Sequence, residues 1–533
     1  MFGKTISGAL KGIDGFCVHI EVQIGYGMAN FLTVGLAEGA VRESKVRVRS
    51  AFMESNLYFP SACITLNLAP ADVRKDGSAY DLPIALAILS ATGEFGGEPK
   101  IRAFFAETMI MAELGLTGEL RPIRGVLPLV LAARREGLRA VIIAPENAAE
   151  AALVEGIDIY CPSSLRECYL GIKSGAGLPG FTRVSRRAGL YTGGKDMAEV
   201  SGQRLPKRAL EIAASGGHNL LFIGPPGSGK TMLAQRLASI LPPMTFDEAL
   251  EVTALYSISG HLAGGSFVAH RPFRAPHHSI SDVGLAGGGT PHPKPGEISL
   301  AHHGVLFLDE LPEFRRNVLE VLRQPLEDGG IQITRRLQSV RFPSQFMLVA
   351  SMNACPCGHL GSTRKVCICR EESILKYQSR ISGPLLDRID LQIEIAEISY
   401  DEIQQQVSEE SSDVIRARVE RCREIQRQRF EGSGIRSNAQ MGMAEMRQHC
   451  NIDGDGHTLM RRAIDKLGMS ARAYHRILKV ARTVADMEAS PVIARHHLAE
   501  AIGYRTLDRK LILSKSCRRA ASPKAPIEVS SEG

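Results

Sequence analysis

Apolar residues recur along the first part of the chain with two different spacings. Strict alternation with polar residues in Phe16–Val22 and Ala62–Leu68 predicts two β-strands, because successive side chains of a strand point to opposite faces. Apolar residues at intervals of three and four predict helices over 39–53 and 82–92.

A helix, a stop signal and a buried strand follow farther along. Val126–Arg135 has the apolar spacing of a helix, Gly137 ends it, and the apolar run Ala140–Ala144 predicts a strand. Residues 1–170 are therefore expected to form a mixed α/β domain.

A second apolar run, Asn219–Ile223, predicts a buried parallel strand. The eight residues after it fit the phosphate-binding pattern and are Gly224, Pro225, Pro226, Gly227, Ser228, Gly229, Lys230 and Thr231. The glycines let backbone N–H groups point at a phosphate, Lys230 adds positive charge, and Thr231 offers a hydroxyl to Mg²⁺. The helix expected over 231–241 points its positive end at the same place, so ATP and Mg²⁺ are the predicted ligands.

Two further apolar runs end in polar residues that suit hydrolysis. Val305–Leu308 is followed by Asp309 and Glu310, about eighty residues after the lysine of the phosphate loop. We expect Asp309 to hold Mg²⁺ through water and Glu310 to polarise the attacking water. The strand over 346–352 leads to Asn353, whose amide suits a sensor that orients this water.

Three arginines and a glutamine are candidates for further nucleotide contacts. Arg388 stands where a ring of ATPases places the arginine finger that reaches a neighbouring subunit, and Arg380 is the second candidate. Arg472, at the start of a predicted helix, is a candidate second sensor. Gln203, before a helix predicted over 203–214, stands where such ATPases place adenine contacts.

Two segments of the ATPase region are candidates for contact with a substrate. A long insertion rich in Gly, Pro and His over 260–296 is expected to be a substrate-facing pore loop. Five histidines in this insertion and just after it have no spacing of a known metal site: His277, His278, His292, His302 and His303. The alternating segment 330–342 predicts a hairpin with basic residues, which is either a DNA-contacting finger or a solvated hairpin.

Four of the eleven cysteines fall in one short segment, as two C-x-C pairs separated by nine residues: Cys355, Cys357, Cys367 and Cys369. Four thiolates can form a tetrahedral structural Zn²⁺ site, and free thiols or a redox pair remain alternatives. A catalytic zinc is excluded, because four sulfur ligands leave no open position.

The remaining segments are predicted to be connections, helices and a tail. Composition and spacing divide the chain into a first domain 1–170, a linker 171–196, an ATPase core 197–395 with the cysteine-rich segment 355–369, a charged helical connector 396–435, a helical domain 436–512 and a disordered tail 513–533. Within the connector, the helical spacing runs over 402–429.

Composition limits the class of protein. Hydrophobic residues make up 44% and charged residues 23%, as in ordinary soluble domains. The longest apolar stretch, 82–91, is too short to cross a bilayer and the N-terminus has no signal core, so we expect a cytoplasmic protein without a membrane partner. A net charge of +7 permits DNA binding, but 5% aromatic residues without Trp disfavour base stacking.

The first domain resembles the proteolytic domain of the Lon proteases. The resemblance is carried by 76–81, by 118–133 and by 141–147. Those enzymes use a Ser–Lys dyad, but the serine falls on Ala79 and the lysine on Leu127 or Leu129 here. We therefore expect a Lon-like fold that serves assembly or partner contact and does not cleave peptides.

Nearly the whole chain resembles the ComM/YifB family of magnesium-chelatase-like AAA+ ATPases. The segments that carry the resemblance are 202–243, 273–282, 296–314, 322–329, 353–358, 380–391 and 470–482. Ala354 stands where the family usually has Pro and Ser351 where it usually has Ala. Neither departure is expected to touch the nucleotide chemistry.

The resemblance implies a hexameric ring that binds branched or single-stranded DNA and uses ATP for branch migration in homologous recombination and natural transformation. By motif position it also implies the roles given above for the site residues, with Arg388 as finger and Arg472 as second sensor. The alternative is the motor subunit of a metal chelatase or of another protein-remodelling complex. An intact phosphate loop and acid pair argue against a non-enzymatic scaffold.

Overall fold

The structure is a computed structural model. It describes residues 1–36, 39–71, 75, 77–182, 195–262, 267–289, 293–335, 338–362, 364–397, 409–467 and 469–505. The predicted tail 513–533, His292 and residues 183–194 of the predicted linker lie outside these residues.

A seven-stranded mixed sheet forms the centre of the N-terminal part, in the order β3-β4-β2-β1-β5-β8-β9. Its strands are β1 (Phe2–Lys11), β2 (Asp14–Gly25), β3 (Asn30–Val34), β4 (Cys63–Ala69), β5 (Thr108–Met111), β8 (Ala140–Ile143) and β9 (Asp158–Tyr160), and the pair β6 (Glu113–Leu114) and β7 (Leu120–Arg121) lies beside it. The expected strands at 16–22, 62–68 and 140–144 are confirmed as parts of β2, β4 and β8.

Six helices cover this sheet: α1 (Gly39–Glu54), α2 (Asp81–Ala91), α3 (Pro99–Ala106), α4 (Val126–Arg135), α5 (Ala148–Ala151) and α6 (Leu165–Ser174). Alternate side chains enter two separate cores. Ile110 of β5 packs with α1 and α2, whereas Met109 and Met111 pack with α4. Both faces of the sheet are therefore buried, and this explains the continuous apolar runs of its central strands.

The two leucines at the lysine position of the Lon dyad are core residues in this chain. Leu127 and Leu129 of α4 are buried in the core between the first sheet and the next part of the chain. The buried carboxylate of Glu150 accepts hydrogen bonds from the Leu127 N–H, at 2.7 Å, and from the hydroxyl of Ser257. This corner of the first domain thus contacts the ATPase part.

A second sheet has five parallel strands in the order β11-β14-β17-β10-β18. These strands are β10 (Leu220–Ile223), β11 (Phe273–Arg274), β14 (Val305–Leu308), β17 (Met347–Met352) and β18 (Leu391–Glu394). Side chains alternate between two cores here too, since Phe222 and Leu221 of β10 belong to opposite faces. The chain is therefore α/β, with two buried sheets, as the sequence predicts.

Short helices and two small ribbons surround this sheet. The helices are α7 (Arg204–Gly216), α8 (Lys230–Ile240), α9 (Phe246–Ser259), α10 (Asp282–Ala286), α11 (Glu297–Leu300), α12 (Arg316–Val321), α13 (Arg323–Asp328), α14 (Glu371–Gln378) and α15 (Gly383–Leu386). The ribbons pair β12 (Gly287–Gly288) with β13 (Lys294–Pro295), and β15 (Gly330–Arg335) with β16 (Gln338–Pro343). The hairpin expected over 330–342 is therefore confirmed.

The C-terminal part is helical, as predicted. Its helices are α16 (Ser412–Arg429), α17 (Met443–His449), α18 (Gly454–Leu467), α19 (Ala471–Met487) and α20 (Arg495–Gly503), and they share one core with α7, α8 and one face of the second sheet. Among the described residues, no helix is long and apolar enough to cross a membrane.

Residues 412–429 of the connector helix predicted over 402–429 form α16, whereas residues 409–411 are described and are not helical. Residues 398–408 lie outside the described part of the chain. Glu409 instead accepts hydrogen bonds from the Lys207 ammonium, at 2.8 Å, and from the Gly202 N–H, at 2.9 Å. These long-range bonds attach Glu409 to the chain around the start of α7, which helical spacing alone does not reveal.

A buried ion pair fixes the start of α2, and its loss should destabilise the first domain. The carboxylate of Asp81 is fully buried and accepts two bonds from Arg47, at 2.6 and 3.0 Å. We expect Arg47→Met to leave this charge unpaired and to cost about 3 kcal/mol of local stability. Hydrogen exchange of α2 in the full chain measures the loss.

Arg121→Met is the matched control for this exchange measurement. Arg121 pairs with Glu119 at 2.6 Å, but both side chains are exposed, and such a pair contributes less than about 1 kcal/mol. Equal exchange rates in the two variants would contradict the role given to the buried pair.

Candidate ATP site and its surroundings

The carboxyl ends of three adjacent strands bring the predicted nucleotide residues together. Lys230 follows β10, Asp309 follows β14 and Asn353 follows β17. The Lys230 ammonium lies 3.3 Å from the amide oxygen of Asn353, and the Thr231 hydroxyl donates to the Asp309 carboxylate at 2.8 Å. The sequence pattern and the geometry therefore identify one site at this edge of the sheet.

The phosphate loop runs close beside the end of β18. A Cβ on Gly224 would lie 2.5 Å from the carbonyl oxygen of Ile395, so only glycine fits there. The Ser228 hydroxyl is buried without a hydrogen-bond partner in the described chain. An unsatisfied buried donor in a glycine-rich cradle suits a phosphate oxygen as the missing partner.

Lys230 is held in place before any ligand binds. Its ammonium donates to the carbonyl oxygens of Gly224, at 2.8 Å, and Pro225, at 2.7 Å. Burial lowers the pKa of Lys230, and the nearby carboxylates of Asp309 and Glu310 oppose that shift. A phosphate that approached this cradle would meet a positioned cation.

The Asp309 carboxylate and the Thr231 hydroxyl together suit Mg²⁺. Both offer hard oxygen atoms at the mouth of the phosphate loop, which is the kind of ligand that Mg²⁺ takes from proteins when it also binds phosphates. The residues present thus fit both predicted ligands, ATP and Mg²⁺.

Glu310 has a strained backbone and an exposed carboxylate. Its φ of 53° lies in the left-handed region, which non-glycine residues adopt mainly at functional sites. Its N–H donates to Asp309 Oδ1 at 3.1 Å and to Ser351 Oγ at 3.3 Å. These bonds hold the backbone in this conformation and leave the carboxylate exposed to solvent.

Ser351 belongs to the site. The sequence predicts that serine in place of the family's usual alanine does not touch the nucleotide chemistry, and the structure corrects this expectation. Its hydroxyl donates to the Asp309 carboxylate while it accepts the Glu310 N–H. An alanine could do neither. Knowledge of the strand register would have identified Ser351, because Leu308 pairs with Ala350 and the next residues of both strands are therefore neighbours.

The insertion expected over 260–296 reaches this same site. Edge strand β11 lies within it, and the His278 imidazole that follows this strand lies 3.9 Å from the Glu310 carboxylate. The ring centroids of His277 and His278 are 4.0 Å apart, with the rings tilted by 36°. At least this part of the insertion therefore lies beside the candidate catalytic acid, a contact for which local sequence gives no signal.

Gln203 lies at the other end of the loop. Its side-chain amide donates to the carbonyl oxygen of Ala396 at 3.1 Å, one residue beyond the Ile395 carbonyl that contacts Gly224. Its backbone is also left-handed, with φ 51°. This location, beside the start of the phosphate loop, is compatible with the adenine contact predicted for it.

Arg388 and Arg472 lie at the opposite edge of the sheet. The Arg388 carbonyl accepts from the side chain of Asn219, the residue before β10, whereas the phosphate loop follows β10. At 3.3 Å per residue, the strand separates the two edges by roughly 15 Å. The two arginines instead line one cavity of about 220 Å³ with Glu327, Arg476 and Lys479.

The two arginines differ in exposure. Arg388 is 4% exposed, and its guanidinium donates to the Glu327 carboxylate. Arg472 is exposed at the first turn of α19, whose Ser470 cap accepts the Ala473 N–H at 3.2 Å. Arg380, the second finger candidate, instead donates to Glu313 at 3.1 Å, three residues after Glu310.

Three regions of the chain match sequence profiles of one family. Residues 196–403 match "Magnesium chelatase, subunit ChlI", residues 20–147 match "Subunit ChlI of Mg-chelatase", and residues 409–505 match "Magnesium chelatase, subunit ChlI C-terminal". The chain is 44% identical over 509 residues to "Competence protein ComM" of Haemophilus influenzae, across 95% of this chain and 97% of the relative. The chain belongs to the ComM/YifB family of magnesium-chelatase-like AAA+ ATPases.

Other relatives agree with this assignment. "Uncharacterized protein YifB" of Escherichia coli is 41% identical over 95% of this chain and 97% of its own length. "Lon protease 2" of Bacillus subtilis is 24% identical over 259 residues, 43% of each chain. Family membership supports ATP hydrolysis with Mg²⁺, and the partial likeness to Lon agrees with the Lon-like resemblance of the first domain.

The cysteine segment of this family member forms a compact cluster beside the site. The sulfur atoms of Cys355, Cys357, Cys367 and Cys369 all lie within 4.8 Å of one another. The backbone N–H of His359 lowers the pKa of the Cys357 thiol to about 6, whereas burial raises the pKa of Cys355.

A second cluster, formed by His302, His303 and Glu251, is built for hydrogen bonding. Both imidazole Nε2 atoms lie 2.9 Å from one Glu251 oxygen. The Nδ1 atom of His302 accepts the Gln345 N–H at 3.0 Å, so its Nε2 atom carries the proton and donates it to Glu251. In this arrangement His302 has no free imidazole nitrogen for a metal, so the contacts describe a hydrogen-bonded cluster.

This cluster should make the protein less stable in acid. Burial lowers the pKa of His302 from 6.5 to about 4, so between these values the unfolded chain binds a proton that the folded chain does not. Stability should fall as pH falls through this window, by up to about 3 kcal/mol. Thermal unfolding at pH 7 and pH 5 measures the effect, which His302→Gln should reduce.

His457→Gln is the control for the acid effect. His457 is exposed on α18, so its replacement should leave the pH dependence of wild type unchanged. The groups that face His302 and His303 are Glu248, Glu251 and Arg436. A His302→Gln variant with the full wild-type loss between pH 7 and pH 5 would show that another group titrates.

Proposed function

We propose that this protein is an ATP-driven DNA motor. It assembles as a homo-oligomeric ring, most simply a hexamer, and drives branch migration of branched or single-stranded DNA in homologous recombination and natural transformation. The proposal of a DNA substrate rests on one observation. Over 95% of its length, the chain is 44% identical to a protein named a competence protein. The geometry of the site supports the ATPase part.

Each residue at the carboxyl edge has a separate role in the proposed hydrolysis. Lys230 and the loop N–H groups bind the phosphates, and Thr231 and Asp309 hold Mg²⁺, which neutralises developing charge on the phosphate oxygens. The exposed Glu310 carboxylate orients and polarises the attacking water. Asn353, at 3.3 Å from Lys230, places an amide where it can contact the terminal phosphate or this water.

The position of the arginines supports a site shared between subunits. Arg388 and Arg472 cannot reach the phosphate loop of their own chain, because the length of β10 separates them from it. Their cavity is lined by four cationic side chains and by the carboxylates of Glu327 and Asp387, of which Glu327 pairs with Arg388. In a ring, this edge of one subunit faces the phosphate loop of the next, and a complete site then forms only in the assembly.

The hairpin β15–β16 is the candidate for DNA contact. Ile331, Ile333 and Phe342 bury one of its faces, while Gln332 and Ser339 on the other face are exposed and bonded to each other at 2.8 Å. Its tip carries the basic residues 335 and 336 in sequence. A hairpin anchored by one face and basic at its tip suits contact with a phosphate backbone.

The second candidate is the motor subunit of a metal chelatase or of another protein-remodelling complex. The family profiles, which are named for a magnesium chelatase subunit, favour it. Such subunits generally lack a Lon-like domain and the cysteine segment, and both are present here. The junction experiment below separates the two candidates.

ATP-dependent migration of a synthetic four-way DNA junction tests the proposal. Wild type should resolve the junction only with ATP and Mg²⁺. Glu310→Gln should bind ATP and DNA but lose turnover and migration about a hundredfold or more, because the attacking water loses its base. Strand products on a native gel and phosphate release are the two measurements.

Glu320→Gln is the matched control, since Glu320 on α12 pairs with Arg323 at the surface. Its migration rate should equal that of wild type. A rate of ATP hydrolysis that no form of DNA changes, together with no movement of the junction, would refute the DNA motor and point to a protein substrate.

Mixed rings test the shared site. Lys230→Ala and Arg472→Ala should each abolish most ATP hydrolysis. If the two defects lie in different halves of a shared site, rings with equal numbers of both subunits should recover about a quarter of wild-type activity, because one interface in four receives both intact halves. Co-expression with two affinity tags yields such rings.

The control for recovery is a mixture of Lys230→Ala with Glu310→Gln. Both changes lie in the same half of the site, so every subunit carries one defect and activity should stay absent. Absence of recovery in the Lys230→Ala and Arg472→Ala mixture would place Arg472 outside the shared site.

A further inference from the structure

The cysteine cluster has the dimensions of a metal site. Cys355 Sγ lies 3.4 Å from Cys357 Sγ and 3.6 Å from Cys367 Sγ, and the distance from Cys357 to Cys367 is also 3.6 Å. In a tetrahedron with zinc–sulfur bonds of about 2.3 Å, the sulfurs are about 3.8 Å apart. The four side chains therefore converge almost to the spacing that one Zn²⁺ ion requires.

Backbone N–H groups point at the sulfurs, as expected for thiolate ligands. The Leu360 N–H donates to Cys355 at 3.3 Å, and the Cys357 N–H donates to Cys369 at 3.4 Å. Such bonds stabilise negative charge on sulfur and fix the direction of the ligand. Each C-x-C pair thus contributes one sulfur that is oriented before metal arrives.

The cluster is attached to the ATP site on two sides. Cys355 follows the sensor Asn353 by two residues, and Gly358, with φ 81°, packs on the phosphate loop. A Cβ on Gly358 would lie 2.9 Å from the Pro226 ring and 3.9 Å from the Asn353 side chain. The turn between Cys357 and Leu360 therefore touches both the loop and the sensor.

We propose that Cys355, Cys357, Cys367 and Cys369 bind one structural Zn²⁺ ion, and that this ion holds the turn at Gly358 against the phosphate loop. Because all four positions are taken by sulfur, the ion has no place for water or substrate. Its effect on the ATP site is mechanical, through the contact of Gly358 with Pro226 and Asn353.

The metal content of the purified full-length protein tests the site directly. Elemental analysis should find about one zinc ion per chain in wild type. It should find at least tenfold less in the double variant Cys367→Ser/Cys369→Ser. Cys161→Ser is the matched control, because Cys161 is a half-buried thiol of the first domain outside the cluster, and this variant should keep its zinc.

Replacement by cobalt identifies the ligands. The wild-type protein loaded with Co²⁺ should show the ligand-field and charge-transfer bands of a tetrahedral tetrathiolate, and the double variant should not. Wild type that contains no zinc and takes up neither metal would overturn the site. Purified protein in which the four cysteines form two disulfides, seen as a mass four units lower, would also overturn the zinc site.

Hydrogen exchange tests the mechanical role in the full chain. Removal of zinc by a chelator should speed exchange at least tenfold both in the cysteine segment and in the phosphate loop at 224–230. Faster exchange in the cysteine segment alone would overturn the proposal that zinc holds the turn at Gly358 against the phosphate loop. Metal content is measured without DNA, so its outcome is independent of the proposed DNA motor.

Discussion

The direction of the parallel strands is the constraint on which this molecule depends. Every strand of the second sheet ends at the same edge, so the phosphate loop, the acid pair and the sensor meet there. The same polarity places Arg388, just before β18, at the other edge. The phosphate loop and Arg388 thus lie at opposite edges of one sheet, which is the geometric basis for the proposed site between subunits.

The carboxyl edge is organised before nucleotide arrives, and its own bonds occupy the groups that a ligand would use. Lys230 donates to two loop carbonyls, Thr231 donates to Asp309, and Ser351 bridges Asp309 and the Glu310 backbone. Binding of ATP with Mg²⁺ exchanges these bonds for bonds to phosphate and metal. Little reorganisation is required, which is the usual advantage of a preformed electrostatic site.

The sequence predicted correctly those features that depend only on residues close together in the chain. The run Asn219–Ile223 and the glycines after it specify a strand and a loop regardless of the rest of the chain, and they lie where predicted. Ser351 and His278 could not be placed in this way, since their roles depend on strand register and on a contact across the insertion. The contacts of Glu409 could not be predicted either, because it is held by residues about two hundred positions earlier.

Two segments border the ATP site, and each contacts a different part of its chemistry. The insertion after β11 places His278 beside Glu310, while the cysteine segment after β17 places Gly358 against Pro226. Movement of the first would shift the base, and movement of the second would shift the phosphate loop. Since a misplacement of about 1 Å can cost a hundredfold in rate, both contacts are short enough to couple hydrolysis to whatever these segments touch. Strand β11 pairs directly with β14, so the insertion and the strand that leads to Glu310 are neighbours in the sheet. In the proposed motor, this adjacency would join the insertion directly to the hydrolytic residues.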